Sequence, residues 1–402
     1  MSATASAGRR PVITAWSAVS PFGVGRAAFT EGIRERRDTA APLASSYPSY
    51  EKTPEPTACL VPGFDVREAL GRKGTRSMDR VTGLTVTAVG ALLGESERNQ
   101  RVGTGEGAAF ALGTTTGSAQ SMMDFTRDSL TGEQPFFVDP AQFPNTVMNC
   151  ASGQSAIWYQ LKGPNTTIAG GRAAGLHALN YARRLLASGH AESVLCGTAE
   201  EFSPARAWLE HHSVSAERAD SAVSGPSGSG PSGSGRTGSG PSGSAPTGSA
   251  PVGSVPLGEG SSMLLIEPAG AEDQPVLAEI RAVELGVVLG GDVHAALSSC
   301  LRRALAQASA DPAEIVVIAR SSATGRAGDD ERAAITEVIG ETGAVDLAPH
   351  ALIGDTGAAA AGFQTASVLA YAETQPSAAG RLGLITSVDR TGSVGCALLR
   401  LY

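Results

Sequence analysis

The chain has 402 residues, of which 42% are hydrophobic and 17% charged, enough for two to three domains and a sizeable core in an ordinary globular protein. Its 39 acidic against 31 basic residues give a net charge of −8, which disfavours a nucleic-acid surface. Five cysteines without a CxxC pair argue against a disulfide scaffold or a zinc site, no apolar run approaches the roughly 20 residues of a membrane span, and no signal-like stretch follows Arg9 and Arg10, so a cytoplasmic chain is expected.

Strand and helix signals alternate along the chain. PVITAWSAVS (11–20) reads as an opening strand and GRAAFTEGIRER (25–36) as a helix. MDRVTGLTVTAVGALLGES (78–96) has helical apolar spacing, and GAAFALGTTTG (107–117) is a strand ending in a Gly/Thr loop. TTIAGG (166–171) is a strand that turns into a helix over 172–189, with Leu176, Leu179, Leu185 and Leu186 on its apolar face. SVLCG (193–197) and MLLI (263–266) are short buried-strand runs. The second half repeats the style, with helices at 293–308, 328–341 and 357–373, a strand at 314–322, and a strand, loop and final strand over 383–402. Such alternation predicts a parallel-rich sheet covered by helices.

Between the two buried-strand runs lies a Gly/Ser/Pro tract, residues 216–257, with almost nothing to bury. As a coil of about 40 residues it would span roughly 35 Å. It reads as an expanded surface loop, which folds tolerate because closure entropy grows slowly with length; the alternative is a spacer or partner-binding arm. It interrupts one globular region rather than separating two.

Four ordered segments carry a family resemblance: RRPVITAWSAVSPFGVGRAAF (9–29), FDVREALGRKGTRSMDR (64–80), FPNTVMNCASGQSAIWYQLKGPNTTI (143–168) and LGEGSSMLLIEP (257–268). Together they resemble the β-ketoacyl-acyl-carrier-protein synthases, condensing enzymes of the thiolase superfamily. The resemblance implies an α/β, thiolase-like fold: two pseudo-repeated βαβαβ halves, 1–268 and 269–402, in an α-β-α-β-α layered sandwich.

That family carries its acyl chain on a cysteine at a strand-to-helix turn, where the helix N-terminus favours the thiolate. Two histidines and a lysine face it and support decarboxylation and enolate stabilisation. Here GPNTTIAGGRAAGL (163–176) registers on Gly163, Pro164, Gly175 and Leu176, which puts Arg172 at the cysteine position. A guanidinium cannot carry an acyl group. Glu331 matches a helix glutamate of the family, placing Arg320 at the first histidine position. Asp355 falls at the second and His350 at the lysine position, and DRTGSVGC (389–396) lacks the family's gating phenylalanine. The condensing machinery is replaced at every position.

Within the superfamily the resemblance is to the chain-length factor, the β-subunit of a type II polyketide ketosynthase. It implies a heterodimer with a catalytic ketosynthase subunit, elongation on an acyl carrier protein, no cofactor and no metal, and a steric role in closing the acyl tunnel. Many members carry glutamine at the cysteine position; the arginine departs from them. NCASGQSAIWYQLKGPNTT (149–167) is closer to factors of polyene-forming systems than to aromatic ones. Tunnel or interface residues are expected at Thr116, Ser118, Met122, Phe125, Phe143, Thr146 and Met148, supported by Trp158.

A cation at a helix N-terminus opposes the macrodipole, and burying it unpaired is costly. A carboxylate is therefore expected on Arg172, with Asp355 the candidate. A second reading is a ketosynthase-like malonyl decarboxylase or acyltransferase in which Arg172 and Arg320 hold a carboxylate. A third is a scaffold that recruits a protein through the Gly/Ser/Pro tract. The six histidines show no metal spacing, Cys150 reads as a buried structural thiol, and GTTTG (113–117) as a turn rather than a phosphate loop.

Overall fold

The computed structural model describes residues 10–43, 53–223, 255–271, 273–321 and 323–402. Ten strands build its large sheet: β1 Pro11–Ser20, β2 Ala108–Thr114, β3 Asn165–Ala169, β4 Ser193–Glu200, β5 Gly260–Pro268, β6 Ala278–Val287, β7 Ile315–Ala319, β8 Val345–Leu347, β9 Leu382–Val388 and β10 Ser393–Leu401. The spatial order is β8-β7-β9-β10-β6-β1-β5-β4-β2-β3, with the two-residue strand Gly23–Val24 paired to the end of β1.

The sheet divides between β1 and β6, where only Val12 and Ile13 pair with Glu279 and Ala278. On each side the order is the same: first, fifth, fourth, second, third. Strand directions repeat as well. The pairs β1–β5 and β4–β5 are antiparallel, as are β6–β10 and β9–β10. The pairs β2–β4 and β2–β3 are parallel, as are β7–β9 and β7–β8. This is the expected two-half pseudo-repeat. It is a mixed sheet, not a parallel-rich one, because the fifth strand of each half runs antiparallel to both of its neighbours; β9 and β10 are joined only by residues 389–392 and form a hairpin.

Three apolar clusters define the layers. Helix Arg80–Leu93 packs Val81, Leu84, Val89 and Leu92 onto Phe110, Leu112, Leu195 and Leu265. Helices Val293–Ala308 and Gly325–Ile339 pack Leu297, Leu301 and Ile335 onto Leu384 and Leu398. Between the half-sheets lie helices Ala174–Ala187 and Ala360–Thr374, sharing one cluster with Ile13, Trp16, Val317 and Leu399. The second is buried along most of its length, as a helix enclosed on all sides must be. Small residues let the two central helices touch: a Cβ at Gly175 would stand 2.9 Å from the Ala361 Cβ.

The low-complexity tract begins later than its composition suggests. Helix Pro204–Val223 continues through 216–223, where Ala, Glu and Arg favour helix. Residues 224–254 lie outside the described residues. The chain resumes in a small sheet, where Leu257–Gly258 pairs with Thr57–Cys59 and that with Ala41–Pro42. Among the described residues no helix is long and apolar enough to cross a membrane.

Candidate functional site

The two central helices begin in matching single turns of 3-10 helix, Gly171–Ala173 and Gly357–Ala359. The first turn follows β3 and the second follows the short helix His350–Ile353, and Arg172 and Asp355 meet between the two helix starts. Both residues are buried. Arg172 Nη2 donates to Asp355 Oδ2, the ion pair that the helix dipole and burial led us to expect. Asp355 Oδ1 accepts the Gly357 N–H at 3.0 Å. Burial alone would raise the Asp355 carboxyl, but Arg172 and Arg206 outweigh it and hold the carboxyl down at about 2. Burial acts against the Arg172 cation, and Asp355 overrides it, raising the guanidinium above its ordinary value.

A second carboxylate, Asp389, completes the arrangement. Its Oδ2 accepts the Arg172 backbone N–H at 2.8 Å, while its Oδ1 accepts the Thr391 N–H at 2.9 Å and hydroxyl at 2.6 Å. The amide at the start of the central helix is therefore occupied from within the chain. Gly171 makes this approach feasible: its φ is +49°, and a Cβ there would lie 2.1 Å from Asp389 Oδ2. Sequence reasoning noticed only the missing phenylalanine in this loop. Asp-x-Thr is a turn signature, but it does not tell which amide the carboxylate reaches.

Arg206 also went unnoticed. It is buried on helix Pro204–Val223 and donates to the carbonyls of Glu201 at 3.0 Å, Gly258 at 2.7 Å and Asp355 at 2.8 Å. It thus ties the end of β4, the strand after the tract and the Asp355 turn together. Glu200, beside it at 4.0 Å, accepts the Thr115 hydroxyl and the Ala358 N–H.

Arg320 turns away from this centre. Its Nε lies 2.9 Å from both oxygens of Asp346 and its Nη2 lies 2.5 Å from one of them. The hydrogen bond to Asp346 raises its already high affinity for the proton. With Arg172 on Asp355 and Arg320 on Asp346, each guanidinium already has a carboxylate of its own. Glu331 holds the adjoining segment, accepting from the Ser321 N–H at 3.0 Å, the Ser321 hydroxyl at 2.8 Å and the Thr386 hydroxyl at 2.6 Å. His350 lies near all four charges; burial lowers its imidazole below the usual value, and its Nδ1 has no partner among the described residues.

The expected tunnel or interface residues gather on a different face. Met122 and Phe125 lie on helix Ala119–Thr131, Phe143 and Thr146 in the 3-10 segment Pro140–Thr146, and Met148 just beyond. The Phe125 and Phe143 rings meet at 5.9 Å, and Met148 packs over Gly117. Thr116 is exposed in the loop after β2. Ser118 is different, since its buried hydroxyl accepts the Ser121 N–H at 3.1 Å and donates to Glu201 Oε1 at 2.9 Å, as a helix cap. Trp158, on helix Cys150–Tyr159, packs against Gly74. That helix rests on β3 through Ser152 and Thr167, 2.7 Å apart, and β3 is the sheet's edge. Met122, Met123, Phe143, Val147, Met148 and Ile157 remain exposed in this region. The Cys150 thiol is pushed up to about 11 by burial and by Asp79, so it is a poor nucleophile.

The model for "Beta-ketoacyl synthase, N-terminal domain" matches residues 9–235, more than half of the chain. The 3-oxoacyl-[acyl-carrier-protein] synthase 2 of Synechocystis sp. is 28% identical over 196 residues, 48% of this chain and 45% of that protein. The chain thus spans about half the length of the curated relatives it matches. Among solved structures, the ishigamide ketosynthase/chain length factor is 40% identical with a TM-score of 0.82, covering 98% of this chain and 99% of that one. A type II PKS acyl-carrier protein complex with its ketosynthase bound to the hexaketide shares the fold at 18% identity, with a TM-score of 0.72 over 98% of this chain and 100% of that one. With its repeated half-sheets and matched N-terminal half, the chain belongs to the β-ketoacyl synthase family of the thiolase-like fold.

Proposed function

We propose that this chain is a non-condensing, chain-length-factor subunit of a type II polyketide synthase. It pairs with a catalytic ketosynthase of the same fold and shapes the acyl tunnel while the partner extends a chain on acyl carrier protein. The observation that carries this reading is the occupied centre. Arg172 stands at the turn where a condensing enzyme presents its cysteine, with its guanidinium on Asp355 and its amide on Asp389. No nucleophile is presented there, and the helix-end amide is not open to an acyl oxygen. The 40% identity to a ketosynthase/chain length factor over nearly the whole chain supports the same reading. So does the exposed apolar face of Met122, Phe143 and Met148 near the edge strand β3, which suits a partner of matching fold. The product class we propose is the polyene type.

Co-expression with a ketosynthase that keeps its cysteine and histidines tests the reading. A stoichiometric complex is expected, making product from malonyl-loaded carrier protein, whereas this chain alone makes none. Condensation by the chain alone, or a ketosynthase fully active and unchanged in product length without it, would refute the assignment.

A further inference from the structure

Two carboxyl groups accept from successive amides at the start of helix Arg80–Leu93. Asp79 is its N-cap, and Asp79 Oδ1 accepts the Thr82 N–H at 2.9 Å. The adjacent amide, Val81, donates to Glu201 Oε2 at 3.2 Å. The other Glu201 oxygen accepts the Ser118 hydroxyl at 2.9 Å and the Gln120 N–H at 3.4 Å, at the start of helix Ala119–Thr131. Glu201 is 2% exposed. Asp79 Oδ2 is shielded from solvent and makes no hydrogen bond among the described residues, although the Thr82 and Ser121 hydroxyls stand near enough to offset part of the rise that burial gives this carboxyl.

Among the described residues no ion pair to either carboxyl is formed. Arg80 turns to Glu259, 2.7 and 2.5 Å away, and to the Phe64 carbonyl. Arg206 reaches the backbone carbonyl of Glu201 rather than its side chain, and its nearest carboxylate is Glu200 at 4.0 Å. Glu200 adds to the negative charge around Glu201, and the Cys150 thiol, which faces Asp79, is kept protonated by burial. Two full negative charges held here, dry and without a counter-ion, would be expensive.

We infer that Asp79 and Glu201 hold one proton between them in the folded chain, donated from Glu201 to Asp79 Oδ2, and that this proton fastens the starts of helices Arg80–Leu93 and Ala119–Thr131 to β4. The orphaned oxygen then gains its donor. Burial, and after it Asp79, push the Glu201 carboxyl up to about 8, and burial raises Asp79 as well. An ordinary glutamate titrates at 4.5. The proton's contribution to stability is therefore complete below that value, declines as pH rises, and is gone once pH passes about 8.

Infrared spectroscopy of the full-length chain at pH 7 reads the protonated carboxyl directly. Asp79→Asn and Glu201→Gln should each remove the same part of the protonated-carboxyl band, and the double variant should remove no more. Losses that add, or no loss in Asp79→Asn, would overturn the sharing. Asparagine caps helices well and its amide can donate to an ionised Glu201, so Asp79→Asn should fold even where Glu201→Gln does not. In denaturant unfolding, the folding constant of the parent relative to Asp79→Asn should fall by up to about tenfold per pH unit between roughly pH 5 and 8. A ratio that does not change with pH would equally overturn the inference.

Discussion

Replacing Arg172 by alanine leaves the Asp355 carboxylate in a dry centre without its guanidinium. Breaking a buried pair from one side costs about 3–5 kcal/mol, so Arg172→Ala should lower the unfolding midpoint severely. Arg172→Ala combined with Asp355→Ala should recover part of that loss, and a double-mutant cycle measures the coupling. The acid limb of stability reports the same pair. The Asp355 carboxyl is held at about 2 against its usual 3.8, so its contribution of about 2 kcal/mol is present above pH 4 and disappears as pH falls through 2. Asp355→Asn should lack this acid-dependent portion in urea titrations. On the proposed function, Arg172→Cys should not restore condensation, since the resemblance puts Arg320, Asp355 and His350 in place of the other catalytic groups; product formation by the variant alone would count against that register.

At the scale of the element, the central helix Ala174–Ala187 depends on the glycine before its first turn. Gly171→Ala puts a Cβ on Asp389 Oδ2 in a left-handed backbone, and strain of this kind costs about 1–3 kcal/mol. A thermal melt of Gly171→Ala is expected to show that loss, together with faster hydrogen exchange at the Arg172 amide. Helix Ala119–Thr131 carries the prediction about product length. Phe125 packs on Phe143, and on the proposed function Phe125→Ala lengthens the polyketide without abolishing synthesis, as mass analysis of the product would show. Unchanged length would remove Phe125 from the tunnel. Ser118, grouped with it by sequence, instead caps the helix from within; a serine after a Gly/Thr loop fits either role, and only the position of Glu201 decides between them.

For the whole molecule, the proposed partnership places its demand on the exposed apolar face. Phe143 is 58% exposed and packs on Phe125, so Phe143→Asp should lower the isolated chain's stability by about 1 kcal/mol without unfolding it. The same change should abolish co-purification with a ketosynthase, since a charge buried at an interface without a partner is costly. An intact complex would take this face out of the interface.

The architecture was legible because it rests on local signals: apolar strand runs and helical spacing. The ordered motifs from residue 9 to 268 likewise pointed to the family, whose model matches residues 9–235. Charge neutralisation was only half legible. Burying a guanidinium demands a carboxylate, which pointed to Asp355, but the amide of the same residue is met by Asp389, 217 positions away in the chain. Nor did spacing reveal that Arg320 would prefer Asp346, that Arg206 would gather three carbonyls, or that Asp79 and Glu201 would share one helix end. Periodicity records which face of an element is buried. Which charge lies opposite another is decided only when the two halves close, because the chain supplies many carboxylates and the folded packing selects among them by distance.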